Sequence, residues 1–133
     1  MEFNFLLFTD KKLAVKDKEN FLPLEQENIN KLSLEYCIIS DFMDSKYILT
    51  TEIVKLLKSN QIVVSFVKVS SALKEIQDNK IINHLNRDNF RRIAFPIFVK
   101  SKFLKEYLKN NQFKFNLNAF LQDAKFQGIE LDS

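Results

Sequence analysis

The sequence predicts an α+β fold, with an antiparallel sheet drawn from residues 3–69 and helices from the second half covering one face. Three observations lead there. The first half is built of short aromatic and β-branched runs suited to strands. The second half carries apolar residues at helical spacing. The strand-like runs come first and the helical ones follow, which favours α+β over an alternating parallel α/β arrangement. With 133 residues, two prolines (Pro23, Pro96) and no Gly/Ser linker, the chain reads as a single domain spanning 1–133.

Taken in order, Phe3 to Thr9 alternates Phe3, Phe5 and Leu7 against Asn4 and Leu6, a strand pattern. Asp10-Lys11-Lys12 supplies a tight turn, and Leu13-Ala14-Val15 returns as the second arm of a hairpin. Pro23 breaks the chain, and Leu24 to Leu32 suits a short helix. Leu34 to Ile39 reads as a strand, Asp41 to Ser45 as a turn, and Lys46 to Thr50 as a return strand. Ile53, Val54, Leu56 and Leu57 mark a short helix. Gln61 to Val69 is β-branched and gives the clearest strand signal. Ser70 or Ser71 can cap a helix carrying Leu73 and Ile76, with Ile81, Ile82 and Leu85 continuing it or forming another. Phe95-Pro96-Ile97-Phe98 reads as a break, because proline removes a donor and restricts its neighbour. Phe103, Leu104, Tyr107 and Leu108 mark a helix from about Lys100 to Asn110. Leu117, Phe120, Leu121 and Ala124 mark another, with Asn116 as cap and Gly128 at its C-cap.

Composition excludes more than it proposes. A single glycine, Gly128, is too few for P-loops and dinucleotide fingerprints, which close backbone amides on phosphates through several glycines. One histidine (His84) and one cysteine (Cys37) fall short of zinc sites, Cys-His dyads and Ser-His-Asp triads. The expectation is therefore no catalytic set, no cofactor and no metal. The single cysteine precludes an intrachain disulfide and suits a reducing compartment. The apolar N-terminus lacks the basic start of a signal peptide, and no run approaches a membrane span. The expected place is the cytoplasm.

Net charge is only +3, but it is unevenly placed. From Lys80 to Phe115, nine Lys or Arg face only Asp88 and Glu106, a net of +7, while the rest of the chain is at −4. Within that basic half, Arg87, Arg91, Arg92, Lys102, Lys105 and Lys109 are the candidate partner-binding residues. Interleaved Phe90, Phe95, Phe98, Phe113 and Phe115 could add stacking to phosphate contacts. The plain reading of the same features is a solvated helix face over a phenylalanine-rich core. His84 reads as a surface histidine and Cys37 as a small buried hydrophobe. Asp41 and Asp44 read as turn residues rather than cation ligands. Asp17, Glu19, Glu25 and Glu27 form the acidic counterpart to the basic half.

Two outline resemblances follow from the order of elements. Arg92-Ile93-Ala94-Phe95-Pro96-Ile97-Phe98-Val99, followed by two helices, resembles the strand-helix-helix of ribbon-helix-helix repressors over residues 92–127. Pro96 departs from that pattern, because the strand would have to pair across a dimer. The hairpin from Phe5 to Val15, then Phe21-Leu22-Pro23-Leu24, Tyr36 to Ile39 and Tyr47-Ile48-Leu49, resembles the N-terminal domain of NADH pyrophosphatases of the Nudix family over residues 3–110. That resemblance implies an accessory or dimerisation module. It carries no catalysis, since the family's zinc cysteines and Nudix box are absent.

By elimination, the sequence leads to a small non-enzymatic interaction protein: an adaptor, an inhibitor or a subunit of a larger assembly. Its expected partner is another protein, with a homo-oligomer open and no membrane contact. The alternative is a nucleic-acid binder using the basic 80–115 region. An enzyme built from Asp, Glu, Lys and Tyr alone is the third reading.

Overall fold

The computed structural model describes residues 2–42, 47–70 and 72–124, and the backbone of 126–130. At its start, Asp10 and Lys11 both take positive φ, 51° and 63°, the mirror-image turn whose twist matches a hairpin. They join β1 (Asn4–Thr9) to β2 (Lys12–Asp17), with Thr9 opposite Lys12. β3 (Asn20–Pro23) extends the meander, and a 3-10 helix follows at Gln26–Lys31. β4 (Tyr36–Ser40) then enters parallel to β1.

Residues 47–50 run as irregular chain rather than as a return strand. The expected turn at Asp41 to Ser45 lies largely outside the described residues. α1 (Thr51–Ser59) starts at Thr50, whose hydroxyl accepts from the Ile53 amide at 3.2 Å. β5 (Ile62–Lys68) follows as the β-branched run anticipates.

The basic half then departs from the helical expectation. Leu73–Gln77 (β6) and Lys80–Leu85 (β7) form a separate two-stranded hairpin rather than helices. Asp78 and Asn79, at φ 50° and 63°, make its turn. The ladder slips between Glu75 and Ile76, and this bulge explains how Ile81 and Ile82 stand side by side without strict alternation.

β8 (Arg91–Lys100) runs straight through the expected break at Phe95–Phe98. It lies between β4 and β5, antiparallel to both. Pro96 is tolerated there because both ladders step past it. Pairing with β4 ends at Ile97, and pairing with β5 shifts from Phe98 to Ala94 across Val63 and Ser65. A proline at a bulge forfeits no ladder bond, and the Phe95–Pro96 peptide is cis.

α2 (Ser101–Asn110) and α3 (Leu117–Asp123) follow, and Asn116 caps α3 by accepting from the Ala119 amide at 2.9 Å. β9 (Phe126–Glu130) closes the chain parallel to β5. Gly128 therefore sits in a strand, opposite Val64, and not at a helix C-cap.

The large sheet has the order β3-β2-β1-β4-β8-β5-β9. The α+β class holds. The sheet is mixed rather than antiparallel throughout, and it takes β8 and β9 from the second half. Helices cover both faces. α1 packs Val54 and Leu57 on Tyr36, Leu49 and Val63. α2 and α3 pack Leu104, Leu108 and Phe120 on Leu6, Ile39, Ile97 and Val99. All five β4 residues are buried as a result, as expected of a strand covered on both sides.

Candidate functional site

β1, β4, β5 and β9 run in one direction, so their carboxyl ends share one edge of the sheet. Ligands of open α/β sheets bind outside that edge. Here it carries the cations. Lys68 ends β5 and Arg91 begins β8, and the two are direct cross-strand partners. Like charges placed opposite one another destabilise a strand pair. Both side chains are exposed, so the repulsion between them is slight, but it adds positive charge to this edge.

Around this pair lies a cavity of about 430 Å³ lined by Lys68, Val69, Ser70, Arg87, Asp88 and Arg91. Its outer wall is a 3-10 turn, Arg87–Asn89, capped by Asn86, whose side-chain oxygen accepts from the Asp88 amide at 3.1 Å. Arg87 Nη1 donates to the Ser70 carbonyl at 2.9 Å, tying the end of β5 to the base of the hairpin. Arg91 Nη1 donates to the Asp88 and Phe90 carbonyls at 3.0 and 2.8 Å. Two guanidiniums and one ammonium face one carboxylate. Guanidinium stays charged at all physiological pH, and its planar fork suits phosphate or carboxylate oxygens.

The six cations singled out from sequence are not brought together. Arg87 and Arg91 share this cavity, and Arg92 is exposed next along β8 opposite Val67. Lys102, Lys105 and Lys109 line a different cleft of about 470 Å³ on the outer side of α2, where Glu35 and Glu106 offset them. Lys68 escaped the sequence reading because it lies outside the basic 80–115 window. Only the register of β5 against β8 reveals it.

The other candidates have plain settings. His84 is exposed on β7 and its Nδ1 touches the Lys74 ammonium. Cys37 is fully buried, with its sulfur 3.1 Å from the Ser101 hydroxyl and within 3.6 Å of the Asn4 amide nitrogen. Burial pushes its thiol up to about 11, against the smaller opposing effect of those hydrogen bonds. Asp41 is exposed, and Asp44 lies outside the described residues. Among the described residues, no three His, Cys, Asp or Glu side chains come together as a metal set, and no helix is long and apolar enough to cross a membrane.

No family model matches the sequence, and no curated protein matches it either. Solved structures do. The fold is similar to that of 4-diphosphocytidyl-2C-methyl-D-erythritol synthase from Anaerococcus prevotii, at 20% identity and TM-score 0.57, covering 80% of this chain and 54% of that one. It is also similar to 2-C-methyl-D-erythritol 4-phosphate cytidylyltransferase from Thermus thermophilus, at 14% identity and TM-score 0.55, covering 80% and 57%. The bifunctional IspDF of Campylobacter jejuni matches at 18% identity and TM-score 0.53, covering 80% of this chain and 28% of that one. The chain thus spans just over half the length of the first two.

These neighbours correct two expectations, and the sheet topology corrects a third. They are nucleotidyltransferases, so the likeness to the Nudix accessory domain does not stand. A non-enzymatic protein that works by binding another macromolecule was inferred from missing motifs alone, and a fold shared with enzymes overturns it. The ribbon-helix-helix outline falls on topology, because β8 is flanked on both sides by strands of its own chain and has no edge to offer a second copy.

Proposed function

We propose that the chain provides a phosphate-binding site in a nucleotidyltransferase-type enzyme, with Lys68, Arg87 and Arg91 holding the anion. The opposition of Lys68 and Arg91 across β5 and β8 carries this reading. An unfavourable pair kept at the carboxyl edge becomes favourable once a dianion sits between the charges. The named substrate of the Thermus thermophilus neighbour bears a phosphate, which fits the class. With one glycine in the chain, side chains rather than a glycine-rich backbone loop supply the grip. A cytoplasmic setting accords with the lone buried Cys37.

In such a reaction a phosphate oxygen of the acceptor attacks the α-phosphorus of a nucleoside triphosphate and pyrophosphate leaves. Cations at the acceptor phosphate orient the attacking oxygen and offset charge repulsion between the reactants. The test is calorimetric titration with glycerol 3-phosphate, inorganic phosphate and CTP at about 50 and 300 mM salt, on the wild type and on Arg87→Ala and Arg91→Ala. The expected result is saturable binding of the phosphate ester, weakened about tenfold or more by either variant. Absence of binding at low salt, or binding indifferent to both variants, refutes the assignment. Pyrophosphate release with CTP and a panel of polyol phosphates tests the reaction class itself.

A further inference from the structure

A second cavity, of about 450 Å³, opens at the same edge of the sheet but farther along it, toward the β1–β2 turn. Three segments distant in sequence build it. The turn contributes Lys11 and Lys12, the stretch after β3 contributes Leu24 and Glu25, and the chain beyond α2 contributes Phe113, Lys114 and Phe115. Its apolar wall is core: Leu13, Leu24 and Leu108 are buried, and Phe113 and Phe115 are half-buried against the same cluster. The volume falls within the range of about 300–1,000 Å³ typical of small-molecule sites. Apolar walls with a few convergent polar groups are the usual composition of such sites.

The charge around the rim is one-sided. Among the described lining residues, three ammoniums stand against the Glu25 carboxylate, which Glu27 adjoins. Glu25 is held above its ordinary range, first by a hydrogen bond with Glu27 and next by repulsion from it, with Lys12 opposing. Phe113, on the cavity wall, takes φ 61° in the turn that ends α2.

We propose that this cavity binds an amphipathic organic anion, its apolar body seated on Leu13, Leu24, Leu108 and Phe115 and its charged head at Lys11, Lys12 and Lys114. The site shares no residue with the Lys68–Arg87–Arg91 cluster, so either assignment can fail without the other.

The probes are 1-anilinonaphthalene-8-sulfonate and neutral N-phenyl-1-naphthylamine, which share an apolar body and differ in the anion. Titrations use the wild type and the double variant Lys12→Glu, Lys114→Glu. Both lysines are exposed, and thermal melting confirms the fold. If the double variant melts early, Lys12→Gln with Lys114→Gln replaces it. The expected result is one saturable site for the sulfonate, weakened about tenfold or more in the charge-reversal variant. The neutral dye should change by less than about twofold, and amide shifts should centre on residues 11–13, 24–25 and 113–115. Three results overturn the proposal: no saturable binding, equal weakening of both dyes, or shifts confined to β6 and β7, whose exposed isoleucines offer a competing surface.

Discussion

Phe113 donates its backbone N–H to the Leu108 carbonyl at 2.7 Å, reaching back across the last turn of α2. Gln112 before it stands at φ 56°. This is the helix-ending motif in which glycine normally occupies the left-handed position, made here with glutamine. Seven non-glycine residues among those described have positive φ, while the single glycine lies in β9. Gln112→Gly is therefore expected to stabilise the protein by about 1 kcal/mol, since it removes the Cβ clash of the left-handed conformation. Gln112→Ala should change stability by no more than a few tenths. Urea midpoints of the two variants check both values.

Phe120 is fully buried, with ring centroids 5.1 to 5.2 Å from Tyr107, Phe103 and Phe115. Phe120→Ala should cost about 3–5 kcal/mol through lost transfer energy and a residual cavity. That is a large share of a typical domain's roughly 5–15 kcal/mol. By contrast, Ile81→Ser on the exposed hairpin should stay within about 0.5 kcal/mol. Chemical denaturation of both variants decides whether the core or the hairpin holds the fold.

Cys37 gives a pH prediction. Its thiol is raised from an ordinary 9.0 to about 11 by burial. The raised value means the fold favours the neutral thiol. Its contribution to stability is complete below about pH 9 and is lost as pH rises toward 11, because the unfolded chain ionises first. Comparing the denaturation midpoints of wild type and Cys37→Ala at about pH 8 and pH 10.5 isolates this effect, and the gap should narrow at the higher pH. The native thiol should also resist iodoacetamide at about pH 8 and react on unfolding, because the thiolate is the nucleophile.

Lys68→Glu separates fold from site. Replacing one member of the like-charged pair with Arg91 should raise stability by a few tenths of a kcal/mol at low salt. The same change should abolish the stabilisation that added phosphate gives the wild type. Thermal melts with and without about 50 mM phosphate, at matched ionic strength, read both effects. A variant that is less stable without phosphate would contradict the assigned role of the pair.

Much of the architecture could be read from the residues. The strand at 62–68, the opening hairpin and the helices at 51–59, 101–110 and 117–123 follow directly from side-chain periodicity. The arm at 73–85 did not, for a physical reason. Nearly all its residues are exposed, so no core imposes strict alternation. The apolar positions Leu73, Ile76, Ile81, Ile82 and Leu85 then fit a helix as well as a bulged hairpin. Its turn also lacked the glycine that usually announces one. Pro96 concealed β8 in a similar way, because a skipped register is invisible from sequence.

The candidate site was half visible. The charge imbalance led to Arg87 and Arg91, which do converge, but it grouped them with Lys102, Lys105 and Lys109, which face another cleft. Lys68 needed strand register, and the separate cavity at Lys11, Lys12 and Lys114 needed the return of the chain after α2. Counting glycines tests only for phosphate sites built of backbone, so it could not exclude an enzyme.

The place of β4 sets an order of assembly. The β1–β2–β3 meander is closed by short connections and needs only local chain closure. The middle of the sheet joins Cys37 to Val99 and Ile38 to Phe98, partners about sixty residues apart. The loop entropy of that joining must be met before its burial is gained. While the chain is being synthesised, the apolar face of β4 stays uncovered until residues 97–108 have emerged, and any truncation before that point would leave a meander with an unsatisfied sheet edge.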